Sequence, residues 1–314
     1  MFWKKFKAHV IQLPRPFAFP FFACSILLGS LLAGSINLNA WIGLIAGLLI
    51  TSGGHAFNSF LDYAWTGLDK GTPEERSAET GYTGGQNLIA SGVVSVRETA
   101  LNGLAWYALS IIPIVFLGIR TGWLILVPWL LGLLMTVWYS KAKFNWTHEL
   151  ALGVAVGPVA MLLGMYAVSP NPPWVDGLIV SVPVSIILSF AGLAFDEWED
   201  AEANLKKGVK SLAYMVWKYS DLSSNEQERQ RGVKSTNTLL WYLSTWILFV
   251  VAYHVFLIAT GYLHPLSGLA FISIPGAIAC MVFLPADFKK VGKIFAIVAA
   301  FYPILLLIGE IIAR

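Results

Sequence analysis

The stretch AWIGLIAGLLITSGGHAFNSFL, residues 40–61, contains no Asp, Glu, Lys or Arg over 22 residues. A helix of about 20 apolar residues is long enough to cross the hydrocarbon core of a bilayer, which is about 30 Å thick. Because backbone groups in lipid must find hydrogen-bond partners within their own segment, this run predicts a membrane-spanning helix. Asp62 follows immediately, so a carboxylate stands where the predicted span meets water.

The composition extends this prediction to the whole chain. Hydrophobic residues make up 57% of the 314 residues and charged residues only 12%, whereas an average soluble protein has about 45–50% and about 25%. These values exclude an ordinary soluble enzyme, a disordered chain and a nucleic-acid-binding protein. The two cysteines, Cys24 and Cys280, lie in separate apolar runs and form neither a disulfide framework nor a metal-binding spacing.

Nine apolar segments are long enough to span a bilayer. We therefore expect an all-α, polytopic membrane protein with nine transmembrane helices in a single domain over residues 1–314. The first segment is long for a cleaved signal peptide and has no convincing small-residue cleavage site, so it is counted as a span. The predicted spans are 17–35, 40–61, 99–119, 121–140, 148–169, 175–196, 237–260, 265–284 and 292–313.

The placement of charge predicts the orientation of these spans. If the N-terminus is on the inside, all of the 21 Lys and Arg except Arg120 and Arg314 fall on the inside, as the positive-inside rule requires. Two inside connections are then long, residues 65–98 and 199–236. Long ordered loops are uncommon unless they are functional, so we expect these two loops to cap a site at the inside ends of the helices.

The second span ends in a polar constellation. Asn58 and Asp62 are four residues apart and share one face of a helix. Asp69 lies seven residues further on. It shares that face if the helix continues, although Gly67 makes the continuation uncertain.

The sixth span ends in the same pattern, because Asp196, Asp200 and Asn204 follow one another at intervals of four residues. One such cluster alone is typical of the solvated end of a helix. Two clusters on one side of the membrane favour a metal–diphosphate site, since Mg²⁺ prefers oxygen ligands and usually binds one or two carboxylates plus substrate phosphates. Ionisable residues at membrane depth are also functional candidates.

A third group of polar residues follows the fourth span. Tyr139 and Lys143 are four residues apart, and a lysine supplies a point charge to a phosphate. Lys141, between them, is interpreted as an anchor at the membrane surface. Within the two long loops, Arg76 and Lys210 are further candidates for contact with phosphate.

Taken in this order and at these helix ends, the motifs resemble the UbiA superfamily of intramembrane prenyltransferases. The resemblance covers most of the chain and includes the count of nine helices. It starts at Arg15-Pro16, where the first span begins. The matching motifs are Asn58-x-x-x-Asp62 with Asp69, Tyr139-x-x-x-Lys143, and Asp196-x-x-x-Asp200-x-x-x-Asn204 followed by Gly208 and Lys210-Ser211.

Two short elements are most similar to the branch that prenylates 1,4-dihydroxy-2-naphthoate in menaquinone synthesis. They are the loop Thr83-Gly84-Gly85 and the pair Gly157-Pro158. Two features depart from the family pattern. The spacing from Asp62 to Asp69 is longer than usual, and Asn204 stands where an aspartate is usual.

The resemblance implies a UbiA-type helical bundle around a central cavity. Its expected reaction is the Mg²⁺-dependent transfer of an isoprenyl group from an isoprenyl diphosphate to an aromatic, quinone-precursor-like acceptor in the lipid bilayer. The resemblance then gives ten residues a role in binding the metal, in contacting the diphosphate or in stabilising its charge. Asp62, Asp69, Asp196, Asp200 and Asn58 would hold Mg²⁺, Asn204 would add a neutral oxygen, Lys143 and Tyr139 would stabilise the departing diphosphate, and Lys210 and Arg76 would contact phosphate.

Three alternatives stay open at the level of sequence. A UbiA-type terpene cyclase would use the same acidic motifs on the isoprenyl diphosphate alone. A transporter would use the carboxylates as an ion path, but it is expected to place them near the membrane midplane rather than at helix ends. A lipid-binding protein without catalysis gives no reason for the paired acidic motifs.

Overall fold

The structure is a computed structural model that describes residues 2–70, 87–194, 204–223, 236–283 and 288–314. Within these ranges all regular secondary structure is helical and no strand occurs. The predicted all-α class is therefore confirmed.

Nine helical segments are long and apolar enough to cross a membrane within the described ranges, which confirms the predicted number of spans. Their bounds agree with the predicted ones to within a few residues, except at the start of the first span. In chain order, the first to ninth spans are Phe2–Leu32, Leu38–Ala64, Val96–Thr121, Trp123–Ala142, His148–Val168, Trp174–Gly192, Thr238–Ala259, Pro265–Val282 and Ile294–Ala313.

Several spans are built from more than one helical element. Short π-helical turns lie at Ala8–Gln12, Ala155–Val159 and Ile187–Gly192, and 3₁₀ turns lie at Pro16–Ala18, Trp123–Ile125 and Pro265–Ile272. The α-helices are Phe2–Lys7, Phe19–Leu32, Leu38–Ala64, Asn87–Ala90, Val96–Thr121, Leu126–Ala142, His148–Val154, Ala160–Val168, Trp174–Ile186, Leu212–Ser223, Thr236–Ala259, Ser273–Phe283 and Phe288–Ala313.

The first span is interrupted near its start. A continuous helix over its 31 residues would be about 46 Å long, well beyond the hydrocarbon thickness. Instead the chain breaks at Arg15, whose φ of 53° is left-handed. The segment before the break lies against the third span, because Lys5 forms an ion pair with Glu98 at 2.7 Å and Asn102 donates a hydrogen bond to the His9 carbonyl at 3.2 Å.

The chain divides into two compact units. The first contains Met1–Lys141 and Pro158–Gly177, and the second contains Ala142–Gly157 and Leu178–Arg314. The fifth and sixth spans therefore contribute residues to both. The single domain over residues 1–314 stays a prediction.

The core of the first unit depends on close helix approach. Gly164 packs against the backbone of Ile26, and a side chain at position 164 would collide with that carbonyl. At the same crossing Ser30 donates a hydrogen bond to the Gly164 carbonyl at 3.0 Å. Small residues allow such contact in lipid, where no hydrophobic force drives helices together.

A buried polar network joins three spans of the second unit. His254 on the seventh span contacts the Tyr302 hydroxyl of the ninth span at 2.7 Å and the Ser267 hydroxyl of the eighth at 2.9 Å. All three side chains are buried. Their hydrogen bonds satisfy polar groups that would otherwise be costly inside a membrane protein.

Candidate active site

The C-terminal end of the second span brings two acidic residues together. Its helix ends at Ala64, and Gly67 adopts a φ of 70°, which favours glycine. The chain turns there, and the Asp69 amide donates a hydrogen bond to the Asp62 carbonyl at 3.1 Å. The helix therefore does not continue to Asp69. The turn places Asp69 beside Asp62 instead, and both side chains are buried, at 4% and 3% exposure.

Asn58 and Asp62 share a helix face, as the spacing predicts. The Asn58 amide nitrogen donates to a carboxylate oxygen of Asp62 at 2.9 Å, and the Ser140 hydroxyl donates to the Asn58 amide oxygen at 2.7 Å. Ser140, on the fourth span, is a residue that the sequence analysis missed, although it lies inside the motif from Tyr139 to Lys143. We call Asn58, Asp62 and Asp69 the acidic turn.

In this arrangement Asn58 orients Asp62. Its amide nitrogen and its amide oxygen are both engaged, by Asp62 and by Ser140. The predicted role of Asn58 as a direct metal ligand would require its oxygen to leave Ser140. Such hydrogen-bonded neighbours of a metal-binding carboxylate fix its direction and tune its affinity.

The donor chemistry of the acidic turn fits Mg²⁺. Asp62 and Asp69 are both buried at a helix end and joined by a main-chain hydrogen bond, and their carboxylates are hard oxygen ligands of the kind that Mg²⁺ prefers. Among the described residues, no group of three or more His, Cys, Asp and Glu side chains could hold a metal ion. The predicted metal ligands Asp196 and Asp200, and the phosphate contact Arg76, lie outside the described residues.

The fourth span carries Tyr139 near its C-terminal end, where the side chain is half-buried. Two residues further, Lys141 is exposed, and its ammonium lies 3.9 Å from the centre of the Trp65 ring. This cation–π contact lies just after the end of the second span and gives Lys141 a structural role there.

The second unit contains two lysines that are joined through their main chains. Lys143, only 9% exposed, accepts a hydrogen bond at its carbonyl from the Lys210 amide at 2.6 Å, and the Trp146 amide donates to the Lys210 carbonyl at 3.0 Å. We call Lys143 and Lys210 the lysine pair. Two residues from separate predicted motifs thus meet through their main chains, while the side chain of Lys210 is exposed.

A tight turn leads into the lysine pair. Gly208 has a φ of 82°, and the Val209 amide donates to the Asn204 carbonyl at 3.0 Å. The Asn204 side chain donates to the Tyr214 hydroxyl at 2.6 Å. Asn204 therefore braces the loop in this structure, and its predicted role as an additional oxygen ligand stays a prediction.

Glu149, at the start of the fifth span, holds the helix that follows the lysine pair. Its carboxylate accepts a hydrogen bond from the Ala213 amide at 3.0 Å, and the Ser211 hydroxyl accepts one from the Tyr214 amide at 3.1 Å. Together they satisfy amide groups in the first turn of Leu212–Ser223. A carboxylate also interacts favourably with the positive end of a helix dipole.

The predicted site residues thus fall into three sets. Asn58, Asp62, Asp69 and Tyr139 belong to the first unit, and Lys143, Asn204 and Lys210 belong to the second. Arg76, Asp196 and Asp200 are outside the described ranges. The catalytic and binding roles of all ten residues stay predictions.

Comparison with known proteins identifies the family. The model of the UbiA prenyltransferase family matches residues 18–304. The chain belongs to the UbiA prenyltransferase family. This UbiA-family chain is accordingly an integral, multi-pass membrane enzyme of the prenyltransferase class, and the family resemblance drawn from its motifs is confirmed.

Two solved structures with TM-scores above 0.5 share the fold of this UbiA-family chain, and a third is similar at a lower score. A UbiA homologue from Aeropyrum pernix K1 is 17% identical, with a TM-score of 0.65 over 95% of this chain and 98% of that one. A digeranylgeranylglyceryl phosphate synthase is 16% identical, with a TM-score of 0.58 over 98% and 99%. A UbiA homologue from Archaeoglobus fulgidus bound to DMAPP and Mg²⁺ is 15% identical, with a TM-score of 0.47 over 94% and 98%. No curated protein matches the chain significantly.

Proposed function

We propose that this UbiA-family enzyme transfers an isoprenyl group from an isoprenyl diphosphate to an aromatic, quinone-precursor-like acceptor, in a reaction that depends on Mg²⁺. The acidic turn is the observation that carries this proposal. Buried carboxylates in a membrane protein are expensive and mark functional sites. Here two buried aspartates are joined through their main chains at a helix end, and Asn58 orients the carboxylate of one of them.

The residues divide the chemistry between them. When bound, Mg²⁺ would neutralise negative charge on the diphosphate oxygens and so favour departure of the diphosphate. Asp62 and Asp69, with Asp196 and Asp200 as the further predicted ligands, would hold the metal. The carbon–oxygen bond of the donor breaks, and the diphosphate leaves with the electron pair. An electron-rich ring carbon of the acceptor attacks the allylic cation, and that carbon then loses its proton to the departed diphosphate or to solvent.

The lysine pair suits the leaving group. Lys143 would stabilise the negative charge that develops on the departing diphosphate, and Tyr139 would donate a hydrogen bond to it. Groups that act where charge develops lower the barrier more than they strengthen ground-state binding. Lys210, held by its main chain at Lys143, would add a second positive charge.

An allylic cation must be protected from water, since water would quench it. The loops 65–98 and 199–236 are proposed to cap the site for this reason. The second loop is supported by two hydrogen bonds at the start of its helix Leu212–Ser223. Glu149 of the fifth span accepts one from Ala213, and Ser211 within the loop accepts one from Tyr214.

The site is proposed to face the inside of the cell. Contacts within the first unit support one shared end, since Lys5 pairs with Glu98 and Arg15 contacts Ser59. These contacts bring the start of the first span, the end of the second and the start of the third close together. Nearly all Lys and Arg fall on that side under the positive-inside rule.

The acceptor is proposed to be 1,4-dihydroxy-2-naphthoate or a related quinone precursor, which would place the enzyme in menaquinone biosynthesis. This finer step depends on the likeness of the Thr83-Gly84-Gly85 loop and of the Gly157-Pro158 pair to that branch. Pro158 lies within the π-helical turn Ala155–Val159 of the fifth span.

Mass spectrometry of the products tests the proposal. The purified protein and Mg²⁺ are incubated with geranyl, farnesyl and geranylgeranyl diphosphates, with and without a panel of quinone precursors. We expect a prenylated acceptor that requires both the acceptor and Mg²⁺, with turnover lost in a chelator. A cyclic hydrocarbon or alcohol formed without acceptor would identify a terpene cyclase instead, and ion flux in liposomes without any product would identify a transporter.

A further inference from the structure

The helical segment Phe2–Gln12, which precedes the break in the first span, packs against the protein along one face only. On that face Ala8 is fully buried, in an apolar cluster with Ala56 of the second span. Lys5 reaches the first turn of the third span, where it pairs with Glu98 at 2.7 Å. These contacts attach the segment to the first unit and leave its opposite face uncovered by the described residues.

The uncovered face carries a stripe of apolar side chains. Phe2, Phe6 and Val10 are four residues apart, so they lie in one row along the helix, and Trp3 lies beside them. The side chains of Phe2, Trp3 and Phe6 are 73%, 75% and 47% exposed, and their ring centroids are only 5.7 to 6.4 Å apart. We call these four residues the aromatic stripe. Exposed apolar patches of this kind mark surfaces that bind a membrane or another molecule.

Two lysines border the aromatic stripe on one side. Lys7 is four residues after Trp3, and Lys4 is three residues before Lys7, so the helix places Lys7 between the stripe and Lys4. Both lysines are exposed, and neither forms an ion pair in the part of the chain that the structure describes. Lys5 differs from them, since Glu98 neutralises its charge. The stripe is therefore flanked by two positive charges that are available to phosphate groups.

The segment lies at the level where the third span enters the lipid. One turn after the contact with Glu98, Asn102 of that span donates a hydrogen bond to the His9 carbonyl at 3.2 Å. Between these two contacts Leu101 is exposed, and the apolar outer surface of the third span begins there. The segment therefore sits at the boundary between charged and apolar residues. A helix with an apolar stripe and flanking lysines at this boundary is typical of interfacial amphipathic helices.

We propose that Phe2–Gln12 is a binding surface for anionic phospholipids. The aromatic stripe inserts at the boundary of the acyl chains, and Lys4 and Lys7 bind the phosphate headgroups. Charge complementarity selects this occupant, because a second copy of the chain would bring the same lysines to the surface and like charges repel. The predicted orientation also places the segment at the cytoplasmic leaflet, which carries the anionic lipids.

Fluorescence quenching by brominated lipids tests the proposal without depending on turnover. A bimane fluorophore is attached at Val10→Cys in the full-length protein, where the native Cys24 and Cys280 are buried and so protected from the label. The labelled protein is reconstituted with brominated phosphatidylglycerol or brominated phosphatidylcholine at equal mole fractions. Both lipids should quench the fluorophore. Phosphatidylglycerol should associate with the segment about fivefold more strongly at low salt, and this preference should shrink at high salt, because salt screens exposed charges.

Three variants of the labelled protein separate the charges from the apolar stripe. Lys4→Gln/Lys7→Gln should abolish the preference for phosphatidylglycerol and leave quenching by phosphatidylcholine unchanged. Arg120→Gln/Lys218→Gln is the matched control, since it removes two charges from other exposed positions, and it should keep the preference. Phe6→Ser should weaken quenching by both lipids alike, because it removes part of the apolar anchor and keeps both lysines.

Two outcomes would overturn the proposal. In one, the labelled protein without further substitutions is quenched equally by the two lipids, or Lys4→Gln/Lys7→Gln keeps the preference. In the other, neither lipid quenches the fluorophore, which would show that the aromatic stripe does not contact the bilayer. Disulfide cross-linking of two unlabelled Val10→Cys chains would then identify a second copy as the occupant. Thermal unfolding in detergent checks that the lysine variant is folded, and its Tm should match wild type because both lysines are exposed.

Discussion

The acidic turn and the lysine pair are assembled by different means. In the acidic turn, a main-chain hydrogen bond places Asp69, but side chains orient Asp62, since Ser140 donates to Asn58 at 2.7 Å and Asn58 donates to Asp62 at 2.9 Å. The lysine pair is joined by a main-chain hydrogen bond, which the Lys210 amide donates to the Lys143 carbonyl.

This difference predicts how each region responds to substitution. A truncated Asn58 or Asp62 side chain in the acidic turn alters charge or geometry at its neighbour as well, because Ser140, Asn58 and Asp62 are joined through their side chains. A changed lysine leaves the backbone pairing intact and removes charge alone. The lysine pair should instead depend for its geometry on the residues that hold its loop, above all Glu149.

The largest effect is expected from Asp62→Asn. The variant keeps the shape of the side chain and can still bind Asn58, but it removes a carboxylate from the proposed metal site. We expect turnover of the isoprenyl diphosphate to fall more than about 100-fold, beyond the loss typical of a residue that only supports a metal ligand. Turnover is measured against Mg²⁺ concentration, together with thermal unfolding.

Asp176→Asn is the matched control for that variant. Asp176 lies in the first turn of the sixth span, at the end opposite to the acidic turn in the predicted topology. It should turn over like wild type. Near-normal turnover of a folded Asp62→Asn variant would show that the acidic turn does not hold the metal.

A smaller effect is expected from Lys143→Gln. The pairing with Lys210 uses the Lys143 carbonyl, so the loop should stay in place while the charge is lost. Removal of one group that stabilises developing negative charge typically lowers kcat by about 10²- to 10³-fold. Steady-state kinetics should show this fall in kcat with a smaller change in the KM of the donor.

Lys141→Gln provides the comparison two residues away. Its ammonium lies on the Trp65 ring rather than in the lysine pair, so kcat should stay within about twofold, as for an exposed charge. Equal losses in the two variants would mean that positive charge at the membrane surface matters, and not the position of Lys143.

The sequence could predict the parts of the site that depend on local spacing. Asn58 and Asp62 share a face because any helix places residues four apart together. Asp69 was harder, since its position depends on a turn at Gly67 and not on helical periodicity. The nine spans followed from apolar length alone, because lipid leaves a backbone few other choices.

Contacts between distant segments could not be predicted in this way. The contact of Ser140 with Asn58 exists only when the second and fourth spans pack together, so the sequence around Ser140 does not indicate it. Glu149 and Ala213 are 64 residues apart in the chain, and a lone glutamate at a helix start has no periodic partner to reveal it. The lysine pair likewise joins two residues that are far apart in the chain, and no spacing in the sequence predicts that they meet.

The smallest effect is expected from Glu149, and it separates two roles for this residue. As a support, Glu149 accepts the Ala213 amide and so keeps the loop of Lys210 in place. Loss of such a cap in Glu149→Ala costs about 1 kcal/mol. We expect hydrogen exchange over Leu212–Ser223 to accelerate several-fold, the KM of the donor to rise less than about tenfold, and kcat to change little.

Glu149→Gln decides between support and acid–base chemistry, because it keeps a carbonyl oxygen that can accept the Ala213 hydrogen bond but cannot take up a proton. As a support, Gln should restore slow exchange and most of the donor KM, short of the part due to the helix dipole. As a general base for the acceptor, Gln should be as inactive as Ala, with kcat reduced about 10²-fold or more in both. Restored kinetics in Gln would therefore place Glu149 with the main-chain organisation of the lysine pair, whereas a lost kcat would place it with the reacting groups.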